Sequence, residues 1–259
     1  MRYKLTLSYD GSAFCGWQLQ PDAPSVQGAL ESALFTLLKS KTPVTGAGRT
    51  DTGVNARGYI AHFDSETPID CATLRYKLNA ILPDAVSIQY VEPVADDFHA
   101  RFDARRREYT YYLHRCKDPF AEKFSLRYEY PELDIDAMNS AARHLLGTHD
   151  FSCFEKSGAD NKTSICTVFE AFWEEYLPVC ASSDEPGRYL CFHIAADRFL
   201  RNMVRAIVGT LLEVGRGKRK EEGFASLILE ASEAGLTSRR SLAGESVPGH
   251  ALFLTKVEY

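Results

Sequence analysis

Residues 3–9 read Tyr-Lys-Leu-Thr-Leu-Ser-Tyr, a strict alternation of large apolar or aromatic side chains with polar ones. A period of two puts Tyr3, Leu5, Leu7 and Tyr9 on one face of a β-strand and Lys4, Thr6 and Ser8 on the other. A strand of this kind suits an antiparallel sheet with one covered face. A loop containing Gly11, Gly16, Pro21 and Pro24 follows. Ser25 then stands as an N-cap before Val26, Leu30, Ala33, Leu34, Leu37 and Leu38, which recur at helical spacing. Val44 to Ala47 and Tyr59 to Phe63 read as two further strands. Asp70 caps a helix running to about Ile81 and stopped by Pro83, and Val86 to Val94 returns as strand. The order β-α-β-β-α-β is the ferredoxin-like pattern.

The second half repeats it. Glu108 to His114 reads as strand, and Asp134 or Asp136 opens a helix to about Leu146. Thr163 to Tyr176 pairs with Tyr189 to Ala195 through a turn at Ser182 to Gly187. Helices follow over Phe199 to Val214 and Glu221 to Glu230, and a strand closes the chain from Ala251 to Tyr259. The fold expected is α+β: two ferredoxin-like halves, residues 1–103 and 104–259, sharing one mostly antiparallel sheet. Helices cover one face of that sheet and the other is left as a central cleft.

Composition narrows the function classes. Of 259 residues, 45% are hydrophobic and 25% charged, which is globular composition. No run of about 18 apolar residues exists, so no membrane span is expected. The N-terminus lacks a signal-peptide core, and the default location is the cytoplasm. The seven cysteines are scattered and never spaced as CxxC, which argues against a disulfide framework and a thiolate zinc site. His149, Asp150 and Cys153 form a weak ligand cluster, more simply read as a helix-end or core histidine. No Walker motif or dinucleotide fingerprint occurs, so neither a cofactor nor a metal is expected.

The formal net charge is -5, yet basic residues are bunched. Arg101, Arg105, Arg106 and Arg107 crowd one segment, Arg198, Arg201 and Arg205 a second, and Arg216, Lys218, Arg219 and Lys220 a third. Acidic residues collect at Glu129 to Asp136, Glu170 to Glu175 and Glu221 to Glu245. An acidic protein with a basic working face fits this pattern, and so do ordinary solvated charge runs.

The segment Gly46-Ala-Gly-Arg-Thr-Asp-Thr-Gly-Val-Asn-Ala56 carries the chemistry. Its glycines at 46, 48 and 53 allow a tight turn and close approach of a ligand to the backbone. Asp51 stands where a dinucleotide motif needs its third glycine, and no helix follows. Two readings of Asp51 stay open on the residues alone: a catalytic carboxylate on a rigidly mounted loop, or an Asx-turn that only organises its own backbone. Tyr109, on a strand face with Arg107, Tyr111 and Leu113, reads alone as an ordinary sheet tyrosine. On a helix from Phe199, Arg198, Arg201 and Arg205 would form a narrow basic arc beside the apolar arc of Leu200, Met203, Val204, Ile207, Val208 and Leu211. That arc suits a cleft edge or a solvated stripe equally.

The run GAGRTDTGVNA resembles the signature of TruA-type pseudouridine synthases. So, in order, do YDGSAFCGWQ (Tyr9 to Gln18), SVQGALESAL (Ser25 to Leu34), FHARFDA (Phe98 to Ala104), RREYTYYL (Arg106 to Leu113), GTHDFSCF (Gly147 to Phe154) and FLRNMVRAIVG (Phe199 to Gly209). The resemblance implies a cofactor-free isomerase with Asp51, Tyr109 and Arg205 as catalytic residues. RNA would be held by Arg49, Arg101, Arg105 and Tyr109, with further help from the run Arg216 to Lys220. The implied substrate is the tRNA anticodon stem-loop at uridines 38, 39 and 40, and the implied assembly a homodimer. The family often carries His where this chain has Asn55, and no role is assigned to Asn55. The rivals are a non-catalytic RNA-binding protein on the same scaffold, a cofactor-using RNA modifier such as a methyltransferase, and a purely structural module.

Overall fold

The computed structural model describes residues 1–130, 132–156, 158, 163–229 and 240–259. In chain order the elements are β1 (Arg2–Tyr9), α1 (Val26–Leu38), β2 (Thr45–Gly46), β3 (Asn55–Asp64), α2 (Cys71–Ile81), β4 (Val86–Val94) and β5 (Arg106–His114). Then come β6 (Leu126–Arg127), α3 (Ile135–Arg143), β7 (Gly147–Asp150), β8 (Ile165–Glu175), β9 (Tyr189–Ala196), α4 (Met203–Gly215), α5 (Glu221–Leu229) and β10 (Leu252–Glu258). The architecture is mixed α/β with mostly antiparallel strand pairing. Among the described residues no helix is long and apolar enough to cross a membrane.

Two compact units divide the chain: Met1–Arg105 with Phe253–Tyr259, and Arg106–Leu252. The closing strand therefore falls with the first unit, not with the C-terminal half to which sequence order assigns it. It adds to β3 in parallel, Phe253 beside Asn55 and Leu254 beside Ala56.

In the first unit β1 lies between β3 and β4, antiparallel to both. The alternation read from residues 3–9 is its burial pattern: Tyr3, Leu5, Leu7 and Tyr9 are buried. The Tyr3 hydroxyl accepts the Ile69 N–H at 2.9 Å, just before α2. The side chains of Ser25 and Asp70 cap α1 and α2 as their positions demand, accepting from Gly28 N–H and from Ala72 and Thr73 N–H.

In the second unit β9 lies between β5 and β8, and β7 edges β8, all antiparallel. Tyr111, Trp173, Phe192 and Ile194 are buried. The Asn139 amide of α3 pins β8 by donating to the Trp173 carbonyl at 3.1 Å and accepting the Trp173 N–H at 2.7 Å. The residues that alternate with this core, Thr110, Tyr112, Phe172, Glu174, Cys191 and His193, share the opposite face through the registers Thr110–His193, Tyr112–Cys191, Phe172–His193 and Glu174–Cys191.

α4 starts at Met203, not at Phe199. Asn202 before it takes the left-handed conformation, φ 67°, which breaks helical continuity with residues 199–201. Arg198 and Arg201 therefore precede the helix, and the expected three-arginine helical arc reduces to Arg205. α5 is described to Leu229. Glu230, the expected end of that helix, and residues 230–239 of the acidic run lie outside the described residues.

His62 on β3 is buried, and its Nδ1 accepts the Ala100 N–H at 3.1 Å. Burial, followed by the charges of Arg2 and His99, lowers its pKa from 6.5 to about 4. The acceptor role needs the neutral ring. Between those values the unfolded chain binds the extra proton, so the stabilisation is complete above about pH 6.5 and lost as pH falls towards 4. In urea unfolding across pH 4.5–7, His62→Asn keeps an acceptor that does not titrate. Its stability should therefore depend less steeply on pH than that of the wild type.

Candidate active site

The loop carrying Asp51 is fixed by buried groups on both sides. Before it, β2 pairs with β3, Gly46 opposite Ala61, and Ala47 N–H donates to the Ile60 carbonyl at 2.8 Å. The Tyr59 hydroxyl donates to the Gly48 carbonyl. Thr50 is buried: its hydroxyl bonds the Tyr9 hydroxyl at 2.8 Å and its carbonyl accepts the Trp17 N–H at 3.2 Å. After it, Val54 N–H closes a turn onto the Asp51 carbonyl at 3.1 Å, with Gly53 at φ 78°. A left-handed residue at that position is why a glycine stands there.

Three aromatic rings underlie this loop. Trp17 stacks on Tyr59 with centroids 4.1 Å apart, and Tyr9 meets Tyr59 edge-on at 5.5 Å. A Cβ on Gly46 would overlap the Tyr59 hydroxyl and the Trp17 ring, so glycine is required for the strand to lie against them. Trp17 is tied in turn to α1, its carbonyl accepting the Gln27 N–H at 3.0 Å. The stretches Tyr9 to Gln18 and Ser25 to Leu34 thus serve the same loop. Asn55 also has a role here: buried, it accepts the Gly11 N–H on Oδ1 at 2.8 Å and anchors the turn after β1.

Asp51 itself is half-buried, and Arg49 two residues before it is exposed. Arg101 and Arg105 are exposed on the segment after β4. That segment is shaped by its own bonds. Asp103 accepts the His99 N–H at 2.6 Å, His99 Nδ1 faces the N–H groups of Arg101 and Phe102 at 3.2 Å, and the Ala100 carbonyl accepts the Tyr259 hydroxyl at 2.7 Å. Phe102 is 75% exposed with the Arg101 guanidinium 5.7 Å from its ring centre. An exposed ring beside exposed guanidinium groups suits bases and phosphates.

The other predicted residues lie in the second unit. Tyr109 is half-buried on β5, opposite Ile194, and meets the Phe199 ring edge-on at 5.0 Å. Phe199, unassigned from sequence, thus packs against the Tyr109 ring. Arg205 is half-buried on α4 and bound twice to one residue: its Nε donates to the Val247 carbonyl at 2.7 Å, and its own carbonyl accepts the Val247 N–H at 3.2 Å. The 240–248 segment lies close enough to α4 that a Cβ on Gly209 would overlap the Glu245 carbonyl. Tyr111, one alternation beyond Tyr109, is fully buried and donates to the Pro248 carbonyl at 3.1 Å. Burial drives its phenol pKa up, against the opposing charge of Arg205.

Other expected basic residues are committed locally. Arg106 pairs with Glu108 and Glu170, each at 2.8 Å, and Arg107 donates to the Asp197 carbonyl at 2.7 Å. In the run after α4, Arg219 pairs with Glu213 at 3.0 Å, and Arg216 lies 3.6 Å from the Tyr130 ring centre. His149 places Nε2 against the Leu146 carbonyl at 2.7 Å, as expected of a structural histidine.

A family model described as tRNA pseudouridine synthase matches residues 6–103 and 141–259. The chain is 47% identical over 258 residues to the tRNA pseudouridine synthase A of Bacteroides thetaiotaomicron, covering all of this chain and 90% of the relative. It is 47% identical over 260 residues to that of Parabacteroides distasonis, covering 100% and 96%. With that of Bacillus subtilis the identity is 40% over 263 residues, covering 100% and 99%.

Thr50→Val keeps shape and removes one buried hydrogen bond, so unfolding stability should fall by about 1 kcal/mol. The local signature is sharper. Amide hydrogen exchange at Thr52, Gly53 and Val54 should accelerate more than exchange in α2, and uniform acceleration would show that Thr50 does not hold this loop.

Proposed function

The chain belongs to the tRNA pseudouridine synthase family, and from that premise we propose that it modifies uridines 38, 39 and 40 of the tRNA anticodon stem-loop with Asp51, Tyr109 and Arg205 as catalytic residues. It is a pseudouridine synthase, an isomerase acting on tRNA. The same proposal takes both halves as ferredoxin-like. In its support, β2 and β1 flank β3, β4 flanks β1, and α1 and α2 make the two crossovers of the first half. A cytoplasmic homodimer completes it, by resemblance.

The reaction breaks the C1′–N1 bond, turns the uracil and joins C5 to C1′. N1 gains a proton and C5 loses one, so nothing is oxidised and no group leaves the RNA. Such chemistry calls for a carboxylate that attacks, or stabilises, the developing positive charge at C1′, and for groups that retain the detached base. Asp51 supplies the carboxylate. The observation that carries this assignment is the mounting of its loop. Thr50 before it and Val54 after it are both buried and hydrogen-bonded, which fixes the backbone from which the Asp51 side chain projects. Tyr109 offers a ring for stacking on the uracil, worth about 1–3 kcal/mol per base. Arg205 supplies a guanidinium held at Nε by the Val247 carbonyl, and the proposal gives it the task of keeping the carboxylate ionised. A duplex-embedded uridine must leave its stack to meet these groups.

Asp51→Ala should fold and bind tRNA as the wild type does while turnover falls by about 10³-fold or more. Substantial residual pseudouridine formation would remove Asp51 from the chemistry. Arg205→Leu should lose about 10²-fold, with Arg205→Lys recovering part, because charge survives and the planar fork does not. Normal turnover in Arg205→Leu would end that assignment.

RNA binding is assigned to Arg49, Arg101 and Arg105, because a net charge of -5 leaves affinity to local clusters. Each neutralised phosphate contributes about -0.9 to the log–log salt slope on duplex and about -0.7 on single strands. Replacing Arg101 and Arg105 together with glutamine should make the slope for tRNA binding shallower, by about one unit for every phosphate left unneutralised. An unchanged slope would show that neither meets phosphate.

A further inference from the structure

On the face of the second unit opposite its buried core, three side chains of different chemistry converge. His193 Nε2 lies 2.9 Å from Glu174 Oε1 and 3.2 Å from Cys191 Sγ, and Cys191 Sγ lies 3.9 Å from Glu174 Oε1. Among the described residues this is the one group of three candidate ligands whose donor atoms all fall within 4.8 Å of each other. Ordinary zinc bond lengths at tetrahedral angles give donor–donor separations of about 3.3–3.6 Å. Each observed separation is within about 0.5 Å of that range, a shift that side-chain torsions absorb.

The sheet holds the donors in place. Glu174 is in register with Cys191 and Phe172 with His193 on neighbouring antiparallel strands, and Cys191 and His193 alternate onto one face. The imidazole is oriented on two further sides. Its Nδ1 is 3.2 Å from the Thr110 hydroxyl on β5, and its ring stacks on Phe172 with centroids 5.1 Å apart. With Nδ1–H donating to Thr110, the Nε2 lone pair faces Cys191 and Glu174. Outer hydrogen bonds fix histidine ligands in this way. The thiol is buried, and Glu174 is 54% exposed at the rim.

We propose that Glu174, Cys191 and His193 form a binding site for a zinc-class dication, with three protein ligands and a fourth position open to solvent. The donor set selects the ion. Thiolate with imidazole favours zinc over magnesium or calcium, and a carboxylate completes a combination that zinc accepts. Binding displaces the Cys191 proton, so affinity weakens as pH falls. Without the ion, burial pushes the thiol up to about 12, and Glu174 and His193 stay in contact at 2.9 Å. The ion would tie β8 to β9. No step of uridine isomerisation passes through it. The proposal departs from the sequence expectation of no metal: Glu174 is 17 residues before Cys191, and only strand pairing brings them together.

The test titrates the metal-stripped full chain with cobalt(II), whose thiolate charge-transfer and ligand-field bands report sulfur ligation and four-coordination. One equivalent should bind, show both bands and be displaced by zinc. Cys191→Ser should abolish the charge-transfer band. His193→Gln and Glu174→Gln should each weaken binding by at least about tenfold. At a fixed zinc concentration the melting temperature of the wild type should rise by more than that of His193→Gln. Absence of a charge-transfer band at stoichiometric cobalt would overturn the proposal. So would an undiminished band in Cys191→Ser, which would place the ion on another cysteine. Should Cys191→Ser fail to fold, wild-type affinity in both His193→Gln and Glu174→Gln would overturn it equally.

Discussion

The buried hydrogen bond between the hydroxyls of Tyr9 and Thr50 is the constraint on which the candidate site depends. It joins the last residue of β1 to the residue before Asp51. A hydroxyl pair sealed from water is costly to separate, because neither group regains a solvent partner without opening the core. The Trp17–Tyr59 stack and the Tyr59 bond to the Gly48 carbonyl extend the same support. Asp51 thus projects from a loop held on both sides by buried groups, although its own residue has no regular secondary structure.

Much of the first unit was legible because its side chains obey one period at a time. Residues 3–9 alternate cleanly, Ser25 and Asp70 cap as their chemistry requires, and Pro83 ends α2. The second unit was harder to read where a local backbone choice overrode a longer pattern. Apolar spacing continues smoothly from Phe199 into α4, yet Asn202 is left-handed and the helix begins one residue later. Asparagine tolerates that conformation better than most residues, so the signal was present but weak. The short strands β6 and β7 have too few residues for any period to show.

The candidate site was legible through its motifs and illegible through its supports. Asp51, Tyr109 and Arg205 stood out by resemblance. Asn55, Phe199 and Val247 did not, because their contributions are a backbone hydrogen bond, a ring edge and a carbonyl, none of which leaves a pattern in sequence. Charge is only partly legible in the sequence. Arg106, Arg107 and Arg219, members of the basic clusters, are bonded to Glu108, Glu170, Glu213 and the Asp197 carbonyl. A linear count of basic residues cannot separate cations facing outward from cations already paired.

The parallel pairing of β10 with β3 sets a timetable for biosynthesis. Phe253 and Leu254 sit beside Asn55 and Ala56, the residues that end the Asp51 loop, although most of the sequence lies between them. A nascent chain can form β1, α1, β3, α2 and β4 early, but the edge of β3 that β10 occupies stays unfilled until Phe253 and Leu254 have been made. An uncovered strand edge is prone to pairing with the wrong chain. A chain cut short before Phe253 would therefore lose support in a part of the molecule made earlier, beside the loop that carries Asp51.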